Sequence, residues 1–222
     1  MQKYYHKIKN SPIFYGLKDF ELEKMLKCFE GYIKKYQQGD MIFRQGDIIS
    51  KIYLILDGEI NIEKETYWGR RIIIQKLYGS NNIGLSLVAS KNFESNINAL
   101  CVEDSLVLIL NYEKCSTMCQ NACFHHSAFI RNMFNIISRE NIELIEKIEN
   151  ISQKTIRDKL LTYLSNESLK NKSNSFELKF NRQELADYLN IDRSAMSYEL
   201  SKLKQEGLIN YSKNKFLLKV EI

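Results

Sequence analysis

The sequence predicts an α+β protein: a many-stranded antiparallel β domain, then a long helix, then a smaller helical domain ending in a hairpin. Three observations predict it. Eight of the nine glycines fall between Gly16 and Gly84, several of them at turns between short β-rich runs. From Cys115 to Ile151 glycine and proline are absent, and the apolar residues take up a helical period. Beyond Ile151, capping pairs open short helices, and the end of the chain turns around Lys213-Asn214-Lys215.

The strands follow from turn chemistry. Ile52-Tyr53-Leu54-Ile55-Leu56 ends at Asp57-Gly58, and Glu59-Ile60-Asn61-Ile62-Glu63 then alternates polar and apolar. Asp-Gly between two such runs is the strongest short-range signal for a hairpin. Further strands are predicted at Met41 to Phe43, Arg71 to Gln75, Asn96 to Leu100 and Ser105 to Leu110. Many short strands separated by turns read as an antiparallel sandwich or barrel.

The helical stretch carries a seam. Ile130, Phe134, Ile137, Asn141, Leu144, Ile148 and Ile151 are spaced 4, 3, 4, 3, 4, 3, an unbroken heptad. Phe134, Asn141 and Ile148 occupy a positions, and the others occupy d. A single Asn at an a position costs stability but fixes the register of a parallel pair. The seam therefore predicts a dimer interface; the alternative is one amphipathic helix lying on its own β domain. A boundary falls near Ile151-Ser152-Gln153, so the expected domains are 1–124, 125–151 and 152–222.

In the last domain, Thr155 and Asp158 match the capping spacing in an acidic variant, and Arg157 to Leu164 is strongly helical. The polar run Asn166 to Ser175 is predicted to be a loop. Asn181 with Glu184 is a second capping pair, opening a short helix through Leu189. Asn190-Ile191-Asp192 makes a turn, Asp192 caps a helix from Arg193 to Glu206, and Gly207 ends it. Ile209 to Lys219 forms a small hairpin.

Composition bounds the function. Of 222 residues, 44% are hydrophobic and 27% charged, which is globular rather than disordered composition. The longest apolar runs, such as Leu106 to Leu110, are far short of the roughly 20 residues that span a bilayer. No apolar core follows the basic start MQKYYHKIKN, so no secretory leader and a cytoplasmic location are expected. Five cysteines, an odd number in a chain this long, do not read as a disulfide framework. The net charge is +5, and from Ile151 onward 13 Lys and Arg stand against 9 Asp and Glu. That concentration suits a domain meeting a polyanion, although a merely solvated surface carries the same balance.

One constellation is more specific. On the second helix of the pair, Met196, Leu200 and Leu203 form an apolar stripe, with Ser194, Ser197, Tyr198 and Ser201 on the opposite face. Such a helix packs on its partner and still enters a DNA major groove, about 12 Å wide. Arg182 and Arg193 stand at helix N-termini, where phosphates meet free backbone N–H groups. The candidate DNA contacts are therefore Arg182, Arg193, Ser194, Ser197, Tyr198 and Ser201. The alternative is an ordinary αα-hairpin.

Here the chain resembles a known family. Asn181-Arg182-Gln183-Glu184-Leu185-Ala186-Asp187-Tyr188-Leu189, Asp192-Arg193-Ser194-Ala195-Met196-Ser197 and Lys204-Gln205-Glu206-Gly207-Leu208-Ile209 look like the winged helix of CRP/FNR transcription regulators. Ser11 to Leu17 resembles the family's start. Gly39 to Asp47 and Ile52 to Gly58 are similar to its cyclic-nucleotide-binding-type β-roll. The resemblance implies an N-terminal antiparallel β-roll of jelly-roll type acting as a sensor, a long dimerisation helix and a C-terminal winged helix-turn-helix. It also implies a homodimer bound to double-stranded DNA at a pseudo-palindromic operator, with RNA polymerase as a further contact and no membrane.

Departures from the family pattern narrow the effector. Cyclic-nucleotide binders carry Gly-Glu in the phosphate cassette, followed by an Arg that pairs with the cyclic phosphate. Here the cassette, and with it the candidate effector pocket, reads Gly84-Leu85-Ser86, and no arginine lies between Arg71 and Arg131. A buried phosphate without its bidentate Arg is left uncompensated, so an effector other than cyclic AMP is expected. On the recognition helix, related regulators often carry Glu and Arg where this chain has Ser194 and Tyr198.

Cys115, Cys119 and Cys123 are spaced four apart, followed by His125 and His126. On one helix the three thiols share a face. That face would hold an iron–sulfur cluster or zinc, supply a haem ligand, form a redox thiol pair, or consist of free cysteines packed in a reducing cytoplasm. No nucleophile–base pair, phosphate loop or paired carboxylates emerge, so a regulator and not an enzyme is expected. Two rivals stand beside it. One is a redox or metal-binding protein whose Cys115, Cys119 and Cys123 face carries the chemistry; the other is a ligand-binding module whose helical tail serves protein contacts only.

Overall fold

The computed structural model describes residues 2–69, 71–90, 94–117, 124–178 and 180–219. The chain divides into two units, Met1–Arg139 and Glu140–Ile222. In the first, α1 (Tyr5–Lys9) and α2 (Asp19–Cys28) precede β1 (Tyr32–Tyr36), β2 (Met41–Phe43), β3 (Lys51–Asp57), β4 (Ile60–Glu65), β5 (Arg71–Leu77) and β6 (Asn82–Ile83). Then come α3 (Leu85–Ala89), β7 (Asn98–Cys101), β8 (Ser105–Asn111), α4 (Tyr112–Ser116) and α5 (Phe124–Ser152), whose residues from Glu140 onward belong to the second unit. The strands form two antiparallel sheets, ordered β1-β8-β3-β6 and β2-β7-β4-β5.

The Asp57-Gly58 turn is not the expected hairpin. β3 pairs with β8 and β6, whereas β4 pairs with β5 and β7, so the turn is a corner carrying the chain from one sheet to the other. The register of β3 against β8 shifts between Ile55 and Asp57, which bends the strand as it leaves. Gly58 has φ +96°, and a Cβ there would lie 2.8 Å from the Cα of Ser105. Both sheets gain from the switch: Ile52, Leu54, Ile55, Leu56, Ile60 and Ile62 are all buried. The true hairpin joins β4 to β5 (Arg71 pairs with Glu65), around exposed Tyr67 and Trp68.

The predicted strand at Asn96 begins two residues later, because Ser95 Oγ donates to the Ile97 carbonyl (2.7 Å) and holds a turn there. The helix expected from Cys115 onward is also corrected. Cys115 lies on α4, which stops at Ser116, and Thr117 is extended (φ −100°, ψ 134°). Cys119 and Cys123 lie outside the described residues, so no continuous helix face carrying the three thiols is described.

The N-terminal half of α5 belongs to the β-roll core. Phe129 is fully buried between Phe14 and Phe29, at ring-centroid distances of 5.3 and 4.7 Å. Asn132 Nδ2 donates to the carbonyls of Ile13 (3.1 Å) and Tyr15 (2.9 Å), pinning the segment before α2.

The second unit adds α6 (Ile156–Asn171), β9 (Ser175–Glu177), α7 (Arg182–Leu189), α8 (Arg193–Gln205), β10 (Ile209–Ser212) and β11 (Lys215–Leu218). Most of the loop expected at Asn166 to Ser175 is instead the end of α6. Its polar residues there are a solvated helix face, while Leu160, Tyr163, Leu164 and Ser168 form the buried one. The helix ends at Lys172 in a left-handed conformation (φ 49°), with Ser168 Oγ donating to the Ser173 carbonyl (3.0 Å). β9 starts where the loop was expected to finish and joins a three-stranded antiparallel sheet, β10-β11-β9.

Candidate nucleic-acid interface

Both helices of the reading head are set by their caps. Asn181 Oδ1 accepts from the N–H groups of Gln183 (2.9 Å) and Glu184 (3.0 Å), and Glu184 Oε2 accepts from Asn181 N–H (2.7 Å), a complete capping box. α7 ends at Asn190 in the left-handed region (φ 51°), and Lys159 Nζ donates to the Leu189 carbonyl (3.1 Å). Asp192 Oδ1 accepts from Ala195 N–H (2.9 Å) and from Ser194 Oγ, opening α8. Those bonds favour the ionised carboxylate and lower the Asp192 pKa.

Met196, Leu200 and Leu203 of α8 are fully buried against Leu185, Leu189, Leu160 and Phe216. The opposite face is open: Arg193, Ser194, Ser197, Tyr198 and Ser201 are exposed, Tyr198 at 73%. Three of its hydroxyls are already engaged. Ser194 bonds Asp192, Ser197 Oγ donates to the Arg193 carbonyl (2.9 Å), and Ser201 Oγ to the Ser197 carbonyl (3.0 Å). Arg193 and Tyr198 are therefore the side chains with most reach on this face. Arg157 of α6 bridges to Glu199 (3.3 Å) and Glu206, bracing α8 from behind. Nothing in the local sequence signals this role of Arg157, since a lone Arg inside a helix announces no partner 42 residues away.

Arg182, an expected phosphate contact, packs on the hairpin in the chain by itself. Its Nη2 donates to the Lys213 carbonyl (3.0 Å), and its guanidinium lies 4.8 Å from the Tyr211 ring centroid and 4.9 Å from that of Phe216. It is half-buried, and burial lowers its pKa from the ordinary value. Lys213 and Lys215 at the hairpin are exposed.

In the β-roll, Gly84 is left-handed (φ 85°) and caps α3, but Leu85 points into the core at 3% exposure while Ser86 faces solvent. An apolar side chain packs where the family's cassette carries its carboxylate. Cys115 is fully buried; burial, with a smaller contribution from Cys28, pushes its thiol pKa up, which disfavours the thiolate that metal binding requires. His126 Nε2 donates to the Lys114 carbonyl (2.8 Å), and His125 Nδ1 lies 3.3 Å from Glu21 Oε1. Among the described residues no group of three or more His, Cys, Asp and Glu could hold a metal ion.

The expected seam is largely uncovered within the chain. Phe134 is 68% exposed, Leu144 58% and Ile148 59%, and Asn141 and Ile151 are exposed as well. Ile130 and Ile137 are half-buried, and Ile137 packs on the β-roll core.

Two family descriptions match this chain, "Cyclic nucleotide-binding domain" over residues 33–122 and "Crp-like helix-turn-helix domain" over residues 158–221. The chain belongs to the CRP/FNR family of transcription regulators. Among its relatives, the cyclic AMP receptor protein of Thermus thermophilus is 24% identical over 91% of this chain and 89% of its own length. The transcriptional activator protein anr of Pseudomonas aeruginosa is 22% identical over 78% of this chain and 71% of its own. The fold is that of the Thermus thermophilus catabolite activator protein, with a TM-score of 0.51 and 22% identity over 94% of each chain. As a CRP/FNR regulator, this DNA-binding protein is not an enzyme. No helix among its described residues is long and apolar enough to cross a membrane.

Proposed function

We propose that this CRP/FNR regulator acts in the cytoplasm as a homodimer that reads a pseudo-palindromic operator and answers to an effector other than cyclic AMP. The observation carrying the dimer is the uncovered apolar seam of α5, with Asn141 at its centre. An isolated soluble chain rarely leaves a Phe, a Leu and two Ile exposed along one helical stripe. Two copies facing along that seam bury it, and the lone Asn fixes parallel register. Each copy then presents one α8 to a major groove, the two about 34 Å apart along one face of the duplex.

Within each half-site, Arg193, Ser194, Ser197, Tyr198 and Ser201 face the base edges and flanking backbone, and the β10–β11 hairpin brings Lys213 and Lys215 to the phosphates. Replacing serine hydroxyl bonds within the helix by bonds to bases costs little, because each hydroxyl keeps a partner. RNA polymerase is the further contact of a bound dimer.

The Leu85 side chain, buried in the core, supports an effector other than cyclic AMP, even though one relative is named as a cyclic AMP receptor protein. A cyclic phosphate there meets no carboxylate for its ribose and no arginine for its charge. A redox, nitric oxide, metal or haem signal is the alternative class. The buried thiol of Cys115 does not favour a site centred on that residue.

The test is an operator footprint with a salt series. A dimer on two half-sites gives protections one helical turn apart and a steep fall in affinity with salt, since several Lys and Arg displace counterions. A single asymmetric half-site bound by a monomer would refute the reading.

A further inference from the structure

We infer that Arg182 is a positioning residue: it fixes the β10–β11 hairpin relative to the recognition helix and does not itself hold DNA. The inference rests on reading α7, α8 and the hairpin as a winged DNA reader, and it changes the role of one residue within it.

Arg182 is the first residue of α7, where an arginine would ordinarily be placed to meet phosphate beside free N–H groups. In this chain the guanidinium is turned back onto the hairpin. It covers Tyr211 on β10 and Phe216 on β11, whose rings stack 5.6 Å apart at 29°. Its Nη2 also donates to the carbonyl of Lys213, the turn residue with φ +52°. One planar cation thus touches both strands of the hairpin and the turn between them, a geometry that a lysine's point charge does not reproduce.

The other face of the arrangement is set by α8. Lys204 Nζ lies 5.1 Å from the same Tyr211 ring, and the Tyr211 hydroxyl is 3.4 Å from Ser201 Oγ. Tyr211 is therefore where the hairpin meets both helices: Arg182 grips it from α7, and Lys204 with Ser201 grip it from α8. Swinging Arg182 out to a phosphate would break two cation–π contacts and one charge-assisted hydrogen bond. It would also release the hairpin whose own Lys213 and Lys215 are better placed to meet the backbone.

The experiment uses the full-length protein and compares Arg182→Ala, Tyr211→Leu and the double variant. In the DNA-free protein, amide exchange in the 209–218 hairpin should rise about tenfold in each single variant while α8 amides stay protected. The double variant should cost less than the sum of the two single changes, because the contact between Arg182 and Tyr211 is lost in each. On operator DNA, hydroxyl-radical protection at the outer edges of each half-site should fade while the central protection by α8 persists. General destabilisation would weaken both together, and that outcome overturns the proposal. So does an unchanged hairpin in Arg182→Ala together with a slope of log Kd against log salt reduced by about one, the mark of a lost phosphate contact. If the native protein footprints no DNA, the winged-reader assignment itself fails, while the exchange arm still decides whether Arg182 holds the hairpin.

Discussion

Replacing Leu144 by Glu tests the dimer seam without touching the β-roll core. The side chain is 58% exposed within the chain, so that fraction is what a partner helix would cover. Fully burying a Leu contributes about 1.5–3 kcal/mol, so covering this fraction in two copies contributes about 2–3.5 kcal/mol to association. At about 1.4 kcal/mol per decade, its loss weakens the dimer about 30- to 300-fold, before counting repulsion between two facing carboxylates. Ile137 is a poorer choice, because it packs on the core cluster of the β-roll and its loss would confound folding with association. Sedimentation velocity over a concentration series reads the dimer, and fluorescence anisotropy on a two-half-site duplex reads DNA binding. Both should weaken in parallel while the circular dichroism spectrum stays native. A Leu144→Glu protein that remains dimeric at the wild-type concentration, or a monomeric one that binds the palindrome as tightly, would refute the reasoning.

Three further outcomes are expected. Tyr198→Arg should move selection from a random DNA pool toward guanine at one position per half-site, since Arg pairs bidentately with guanine O6 and N7 for about 1–3 kcal/mol; an unchanged selected sequence means that Tyr198 does not face the bases. Asn181→Ala removes the acceptor for two N–H groups at the start of α7 and should cost about 1 kcal/mol in urea unfolding, with no loss if the capping box is irrelevant. Iodoacetamide at neutral pH should modify exposed Cys28 in the native protein and spare Cys115 until denaturant is added, because burial raises the Cys115 pKa and disfavours its thiolate; rapid native labelling of Cys115, read by peptide mass, would count against its placement.

The reading head was the most legible part of the chain, for a physical reason. Its helices begin at Asn181 and Asp192, short side chains that accept backbone N–H groups, and such caps act within four residues of the chain. The stripe of Met196, Leu200 and Leu203 is equally local. The β-roll was less so, because Asp57-Gly58 turns the chain in the same way whether the flanking strands pair with each other or part into two sheets. The decision belongs to β8, paired with β3 across 49 to 60 residues, and to β7, paired with β4 across 35 to 41. β1, with Lys34 and Lys35 beside each other, shows little alternation and among the described strands pairs with β8 alone, at a sheet edge where a polar strand is tolerated. The packing of Arg182 was illegible for the complementary reason: its position at a helix start is local, but the rings it covers lie 29 and 34 residues away and cannot be seen from its own segment.

The C-terminal turns of α5 divide their faces between two tasks. On one side run Asn141, Leu144, Ile148 and Ile151, exposed and awaiting the partner in the proposed dimer. The intervening positions contact the rest of the second unit. Glu146 pairs with Lys170, Lys147 lies over the Tyr188 ring at 5.6 Å, and Glu149 Oε2 accepts from Asn166 Nδ2 at 3.3 Å. Glu146 and Glu149 reach α6 and Lys147 reaches α7, through polar contacts rather than a broad apolar interface. In the proposed dimer, residues interleaved along the same three turns would therefore serve both the partner and the contacts to α6 and α7.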